Sequence, residues 1–351
     1  METDKELMNK VKVTWRCPSN IAIVKYWGKK GNQIPCNSSL SLTLSNSFTE
    51  VEAELSEKTS DEAVQLSYYF EGEINEQFSQ RVAKFLFDNR EYFPFIGENA
   101  ITIQSSNSFP HSAGIASSAS AFGAISLALL DIAYGIEGKE KDETFYMEAS
   151  NLARLGSGSA SRSMFPGFAS WGTNDQIQNS SNEHAIEIKE VHPVFHNMKD
   201  AILIIEDEPK KVSSSVGHSL MNNHPYAENR FKQANERTAE LVEILKAGDM
   251  EAFIHMCESE ALTLHAMMMT SMDYYLLVKP GTITAIEKLM EFRKESKVPV
   301  CFTLDAGPNV HVLYPKAYEV QVEEFINNGL RDTYKKVIFD EEGSGPTKMN
   351  S

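Results

Sequence analysis

Polar and apolar residues alternate along "VKVTWRCPSNIAIVKYW" and then run apolar, which predicts a strand leading into a turn at Pro18. A clean period of two follows from Ser39 to Leu44 and continues through "SFTEVEAEL", so a β-meander opens the chain. Residues 79–93 carry a helical period, "AITIQSS" is a short strand, and "GIASSASAFGAISLALLDIAYG" is apolar enough for a buried helix stopping near Gly135. A helix over 142–155 ends at "GSGSASRS", "GFASWG" reads as a strand, and the polar "TNDQIQNSSNEH" reads as a surface loop or domain boundary. Beyond it come a buried strand, "AILIIED", and a helix over 228–247 with Phe231, Ala234, Leu241 and Leu245 on one face. Helices over 250–268 and 282–296 follow. "VPVCFTLDAG" and "NVHVLYP" then read as paired strands around a glycine turn, before a last helix, "KKVIF" and a polar tail. Strands and helices mix in both halves without a fixed repeat, which predicts an α+β chain of two lobes, 1–185 and 186–351.

Composition narrows the function. A chain of 351 residues exceeds the usual single domain, in keeping with two lobes. Its net charge of −16, with no basic run interleaved with aromatics, argues against nucleic acid as a partner. The longest apolar run, "AISLALLDIAYGI", is broken by Asp131 and too short for a bilayer, and no apolar leader opens the chain, so no membrane partner and no export are expected. Cys17, Cys36, Cys257 and Cys301 lack metal or disulfide spacing and suggest reduced thiols in a cytoplasm.

Four stretches could carry chemistry. "FPHSAGIASSASAFG", residues 109–123, sets a loop of small residues between a strand and a helix start, where backbone N–H groups and the helix dipole attract anions; the alternative is a small-residue segment packed on a sheet. "LGSGSASRS" joins Ser157 and Ser159 to Arg162, either a two-pronged anion grip or a plain capping loop. "NIAIVKYWGKK" gathers Lys25, Lys29 and Lys30 around Tyr26 and Trp27, as a cationic pocket floor or as snorkelling surface lysines. In "TLDAGPNVH", Asp305 follows a buried strand, where it either caps a turn or accepts a proton from a substrate hydroxyl. His192 and His196 are four apart but separated by Pro193 and lack an acidic partner, so no metal ligands are expected. The stripe "LHAMMMTSM" reads as core packing.

Taken in order, "NIAIVKYWGK", "NSSLSLTL", "FPHSAGIASSASAFG", "GSGSASRSMFPGF", "KKVSSSVGH" and "FTLDAGPNVHVLY" resemble the GHMP kinase superfamily, and within it the diphosphomevalonate decarboxylase family, over residues 20–314. The resemblance implies a two-lobed GHMP-kinase-like fold, with a ribosomal protein S5 domain 2-like N-terminal lobe and a ferredoxin-like C-terminal lobe. It implies ATP- and Mg2+-dependent decarboxylation of 5-diphosphomevalonate to isopentenyl diphosphate, in a cytoplasmic homodimer. Asp305, Lys25 and Arg162 match the family's catalytic set. Asn20, Tyr26, Lys29, Ser157, Ser159 and Arg162 match substrate-binding positions, and Ser112, Gly114, Ala116, Ser117 and Ser118 match the ATP-phosphate loop. His111 and Ser112 replace the usual Thr-Ala, and His218 stands where Met is common. The adenine-side segment is not recognisable around residues 60–75. Relatives on the same fold include a mevalonate kinase acting at C3, which is expected to lack the lysine of the set, and a decarboxylase of the monophosphate.

Overall fold

The computed structural model describes residues 11–110, 115–207 and 214–350, except for the side chains of 214 and 215. Among the described residues two sheets organise the chain. The first runs in the order β12-β1-β2-β5-β3-β4, with β6 on β2 and β7 on β6. Its strands are β1 (Lys12–Val24), β2 (Ser39–Glu57), β3 (Gln65–Phe70), β4 (Glu73–Ile74), β5 (Asn99–Asn107), β6 (Phe168–Trp171), β7 (Ala185–Glu187) and β12 (Thr347–Met349). The second, β11-β8-β10-β9, is antiparallel and comprises β8 (Met198–Ile204), β9 (Cys301–Leu304), β10 (Val310–Pro315) and β11 (Lys336–Glu341). β7 and β12 belong to the first sheet, one straddling and one far beyond the division expected at 185/186.

The helices are α1 (Glu76–Asp88), α2 (Ser117–Glu137), α3 (Glu143–Gly156), α4 (Ser214–Leu220), α5 (Ala227–Ala247), α6 (Met250–Thr270), α7 (Pro280–Ser296) and α8 (Glu319–Gly329). The helix expected over 79–93 starts earlier and breaks at Asn89 into two 3-10 turns, since Pro94 cannot continue an α-helix. α2 passes Gly135 and stops at Gly138, whose φ of +66° forms a left-handed C-cap.

At 21 residues α2 is long and apolar enough to cross a bilayer, which corrects the expectation that this run is too short. Here it is a core helix, with 16 of its 21 residues buried against β1 and β2. Asp131 is tolerated inside it because Trp15 Nε1 donates to it at 2.8 Å and Lys141 and Lys348 pair with it. The tail expected to be only polar forms β12, paired with β1. The methionine stripe divides, with Met268 buried and Met269 and Met272 exposed.

Candidate active site

Arg162 is 2% exposed, in a 3-10 turn (Gly158–Met164) that follows α3. Such a burial requires partners, and alternation on β2 supplies two: Ser39 and Ser41, two residues apart, face the same way. The guanidinium donates to Ser39 Oγ at 2.7 Å, to Ser41 Oγ at 3.0 Å and to Asn20 Oδ1 at 3.3 Å. Asn20 is held in turn by donating to Ser159 O and Ser163 Oγ. Burial pulls the Arg162 pKa down to about 10, opposed by Asp305 and Tyr26. Three of its five N–H groups are used among the described residues, leaving two for a ligand.

Lys25 follows directly on β1 and is 1% exposed. Its ammonium donates to Ala22 O and to Thr303 Oγ1, which leaves one N–H unspent among the described residues. Burial lowers its pKa, opposed chiefly by the charge of Asp305. The turn after β9 is closed by the backbone carbonyl of Asp305, which accepts from Gly307 N–H at 2.7 Å. The carboxylate takes no hydrogen bond among the described residues and lines the cavity, so the side-chain capping alternative does not describe this aspartate.

Asp305, Lys25 and Arg162 line one cavity of about 260 Å3, together with Asn20, Tyr26, Lys29, Ser157, Ser159, Ala116 and Ser118. Ser117 lies beside it, lining with Ser118 and Arg81 a neighbouring cavity of about 210 Å3. Ser112 and Gly114 lie outside the described residues, as do residues 210–213 of "KKVSSSVGH". Lys29 is partly buried and donates to Gln33 at 2.8 Å, so it is a cavity residue rather than a snorkelling one; Lys30 is exposed. Tyr26 packs edge-on to Trp171, and a Cβ at Gly158 would fall 2.8 Å from its ring, so only glycine admits it there. Its buried hydroxyl has no hydrogen-bond partner among the described residues.

α2 is preceded by Ala116, held at φ +44°, and points its first turn at both cavities. Ser118 and Ser157 hydroxyls lie 3.1 Å apart there. No three His, Cys, Asp or Glu cluster as metal ligands among the described residues. His192 and His196 instead bond backbone groups of Val194 and Val191. Paired hydroxyls at a helix N-terminus suit a magnesium carried in by phosphate oxygens, since hard oxygen donors are what that ion takes.

Sequence reasoning overlooked several groups. Arg81, on α1, lines both cavities, donates to Gly156 O at 2.8 Å and lies over the Phe122 ring. An arginine within the apolar stretch "RVAKFLF" was its only signal. Thr303 sits inside a recognised motif, and the serines of β2 share one face of the noted alternation.

The sequence matches the profile of the diphosphomevalonate decarboxylase-like N-terminal domain over residues 17–183, and that of the mevalonate 5-diphosphate decarboxylase C-terminal domain over 201–348. It is 30% identical over 342 residues to the diphosphomevalonate decarboxylase of Ganoderma lucidum, covering 91% of this chain and 82% of that one. With the Homo sapiens diphosphomevalonate decarboxylase it shares 28% identity over 318 residues, 85% and 75% of the two chains. Among solved structures, the mevalonate diphosphate decarboxylase of Staphylococcus aureus superposes with a TM-score of 0.83 at 27% identity, covering 98% of this chain and 99% of the other. A complex of MDDEF with MVAPP, AMPPCP and magnesium superposes at 0.80 with 26% identity, covering 97% and 100%.

Proposed function

The chain belongs to the diphosphomevalonate decarboxylase family, and from that premise we infer how its cavity works. The reaction is the ATP-dependent decarboxylation of (R)-5-diphosphomevalonate to isopentenyl diphosphate, ADP, phosphate and CO2, by way of transient phosphorylation at C3. One observation carries the assignment of roles: an acid whose carboxylate takes no hydrogen bond among the described residues and two buried cations share a cavity beside the helix N-terminus at Ser117 and Ser118.

A tertiary alcohol is a crowded, weak nucleophile. Asp305 orients the C3 hydroxyl and takes its proton as the oxygen forms a bond to the γ-phosphorus, and ADP leaves with the electron pair of the broken P–O bond. The new C3–O bond then breaks toward phosphate, and the electrons of the C–CO2 bond close the double bond as CO2 departs. The spare N–H groups of Arg162 and Lys25 hold the substrate carboxylate until that moment, while the proton on Asp305 is free to pass to the departing phosphate. Ser117, Ser118 and the backbone at Ala116 receive the ATP phosphates, with Ser112 and Gly114 as further members of that loop; Mg2+, when bound, neutralises phosphate charge. Asn20, Tyr26, Lys29, Ser157 and Ser159 grip the remaining substrate oxygens. Residues 1–185 and 186–351 form the two lobes, with β12 returning to the first.

A cytoplasmic homodimer fits the same reading. All four cysteines are unpaired, as in a reducing compartment, and Met272, Tyr274 and Leu276 form an exposed apolar run suited to a second copy. Sedimentation measures the dimer.

The test of function is turnover with ATP on mevalonate, its 5-phosphate and its 5-diphosphate, following ADP and CO2 together. Equal release of both from the diphosphate alone is expected. ADP without CO2 would make the protein a kinase, and preference for the 5-phosphate would make it a monophosphate decarboxylase.

A further inference from the structure

His218 has no part in the chemistry above, yet its ring packs 4.3 Å from Tyr26 and 4.7 Å from Trp27 between centroids, and it lines the cavity while being almost wholly buried. Its place is set by close packing. At Gly217 a Cβ would fall 2.5 Å from the Trp27 ring and 2.7 Å from the Tyr275 hydroxyl, so α4 seats itself directly on Trp27 and carries His218 with it.

The backbone N–H of Gly28 donates to Nδ1 of His218 at 2.9 Å. An amide can only donate, so Nδ1 presents its lone pair and the proton of the neutral ring sits on Nε2. A second proton would set two donors face to face. It would also add a buried positive charge beside Lys29, and burial first, then Lys29, push the imidazole pKa down to about 3. His218 therefore offers one fixed N–H donor, and Nε2 has no hydrogen-bond partner among the described residues. Its charged neighbour is Lys29, which in turn feels Arg81. Asp305, Lys25 and Arg162 form a separate mutually interacting set.

We propose that His218 is a substrate-binding and specificity-determining residue, donating from Nε2 to a phosphate oxygen at the diphosphate end of the substrate, next to the Lys29 ammonium. This rests on the cavity being the diphosphomevalonate site. A neutral donor beside a cation grips an oxyanion without adding another buried charge, which suits a cavity already crowded with Lys25, Lys29, Arg81 and Arg162.

The experiment compares steady-state kinetics of the wild type, His218→Met and His218→Gln on the 5-diphosphate, with ATP saturating and then varied. Methionine has similar reach and no donor, whereas the glutamine amide nitrogen takes the place of Nε2. A hydrogen bond to a charged group is worth about tenfold or more in affinity, so His218→Met should raise KM for the diphosphate about tenfold with kcat and the KM for ATP little changed. His218→Gln should recover most of it. An unchanged KM in His218→Met overturns the proposal, as does a common fall in kcat and ATP affinity that Gln does not rescue, which marks a packing role only. If the Met variant does not fold, the ring 15N resonances of the wild type decide. Substrate should shift the Nε2–H signal, and an unmoved signal overturns the assignment. A wild type that ignores the diphosphate overturns the site reading itself, and the proposal with it, before any variant is compared.

Discussion

Asp305, Lys25 and Arg162 come from three distant parts of the chain, and each reaches the cavity by a different local device. Lys25 follows a strand end, Arg162 stands in a 3-10 turn, and Asp305 sits in a turn closed by its own carbonyl. The carboxylate of Asp305 is thus not needed for folding of its turn. Asp305→Asn should keep ATP binding and thermal stability while kcat falls by about 10^2 to 10^4, the usual worth of a positioned base. Nucleotide titration beside single-turnover kinetics checks this, and near-native turnover would remove Asp305 from its role. For Lys25 the expected effect is one of pH. Burial lowers its pKa, so the ammonium proposed to hold the substrate carboxylate is lost on the alkaline side before an ordinary lysine would titrate, and activity should fall there. Linkage gives stability the opposite sign: between the lowered folded value and the unfolded one the unfolded chain binds more protons, so this contribution grows as pH rises through that window and is lost as pH falls. Lys25→Arg, which stays charged, should move the alkaline limb of kcat upward; a limb left in place would assign it to another group. These residues were legible because they recur in recognisable motifs. Arg81 was not, because nothing along the chain tells that its guanidinium turns inward, and His218 was legible only as a departure from the family's usual Met, without the role its ring takes.

Elements with a strong period were legible to within a few residues: the alternation of β1 and β2, the apolar α2 and the paired β9 and β10. Their ends and short pieces were not, since β4 and β7 have only two and three residues and obey their neighbours rather than any pattern of their own. One link between elements bears directly on the site. Glu260, wholly buried on α6, accepts from the backbone N–H of Lys25 at 3.0 Å, from Arg230 at 2.6 and 2.9 Å and from Arg237 at 2.7 Å. It clamps the segment after β1 to α5 and α6. Glu260→Gln leaves Arg230 buried without a counter-charge and should cost about 3–5 kcal/mol, whereas adding Arg230→Met should cost clearly less than the sum of the single changes. Urea unfolding of the four proteins measures this coupling, and strict additivity would show that the cluster does not act as a unit.

The two lobes are joined at the level of the whole molecule by the stretch that the sequence presented as a polar tail. Asp340, at 3% exposure near the end of β11, accepts the backbone N–H groups of Ser45, Asn46 and Ser47 at 2.7–2.9 Å, so one carboxylate of the second sheet caps a bend in β2 of the first. Three residues on, Gly343 bonds Thr43 O and receives Gly167 N–H, and β12 then adds itself to β1, with Lys348 reaching Asp131 in the core helix. No periodicity announces such a join, because backbone groups make most of its bonds and the partners of Asp340 and Lys348 lie far away in the sequence. Asp340→Ala removes the acceptor of three amide donors at the lobe junction, of which Ser47 N–H is buried while water can reach Ser45 and Asn46, and at about 1–3 kcal/mol for a buried group left without a partner a net loss of up to about 3 kcal/mol is expected. With an unfolding entropy of about 2.1 cal/mol/K per residue, that loss lowers Tm by up to roughly 4 °C. Since β2 also carries Ser39 and Ser41 to Arg162, calorimetry should find a weaker transition in the variant, with nucleotide binding expected to remain. A Tm equal to that of the wild type would mean that the Asp340 bonds contribute nothing to holding the lobes together.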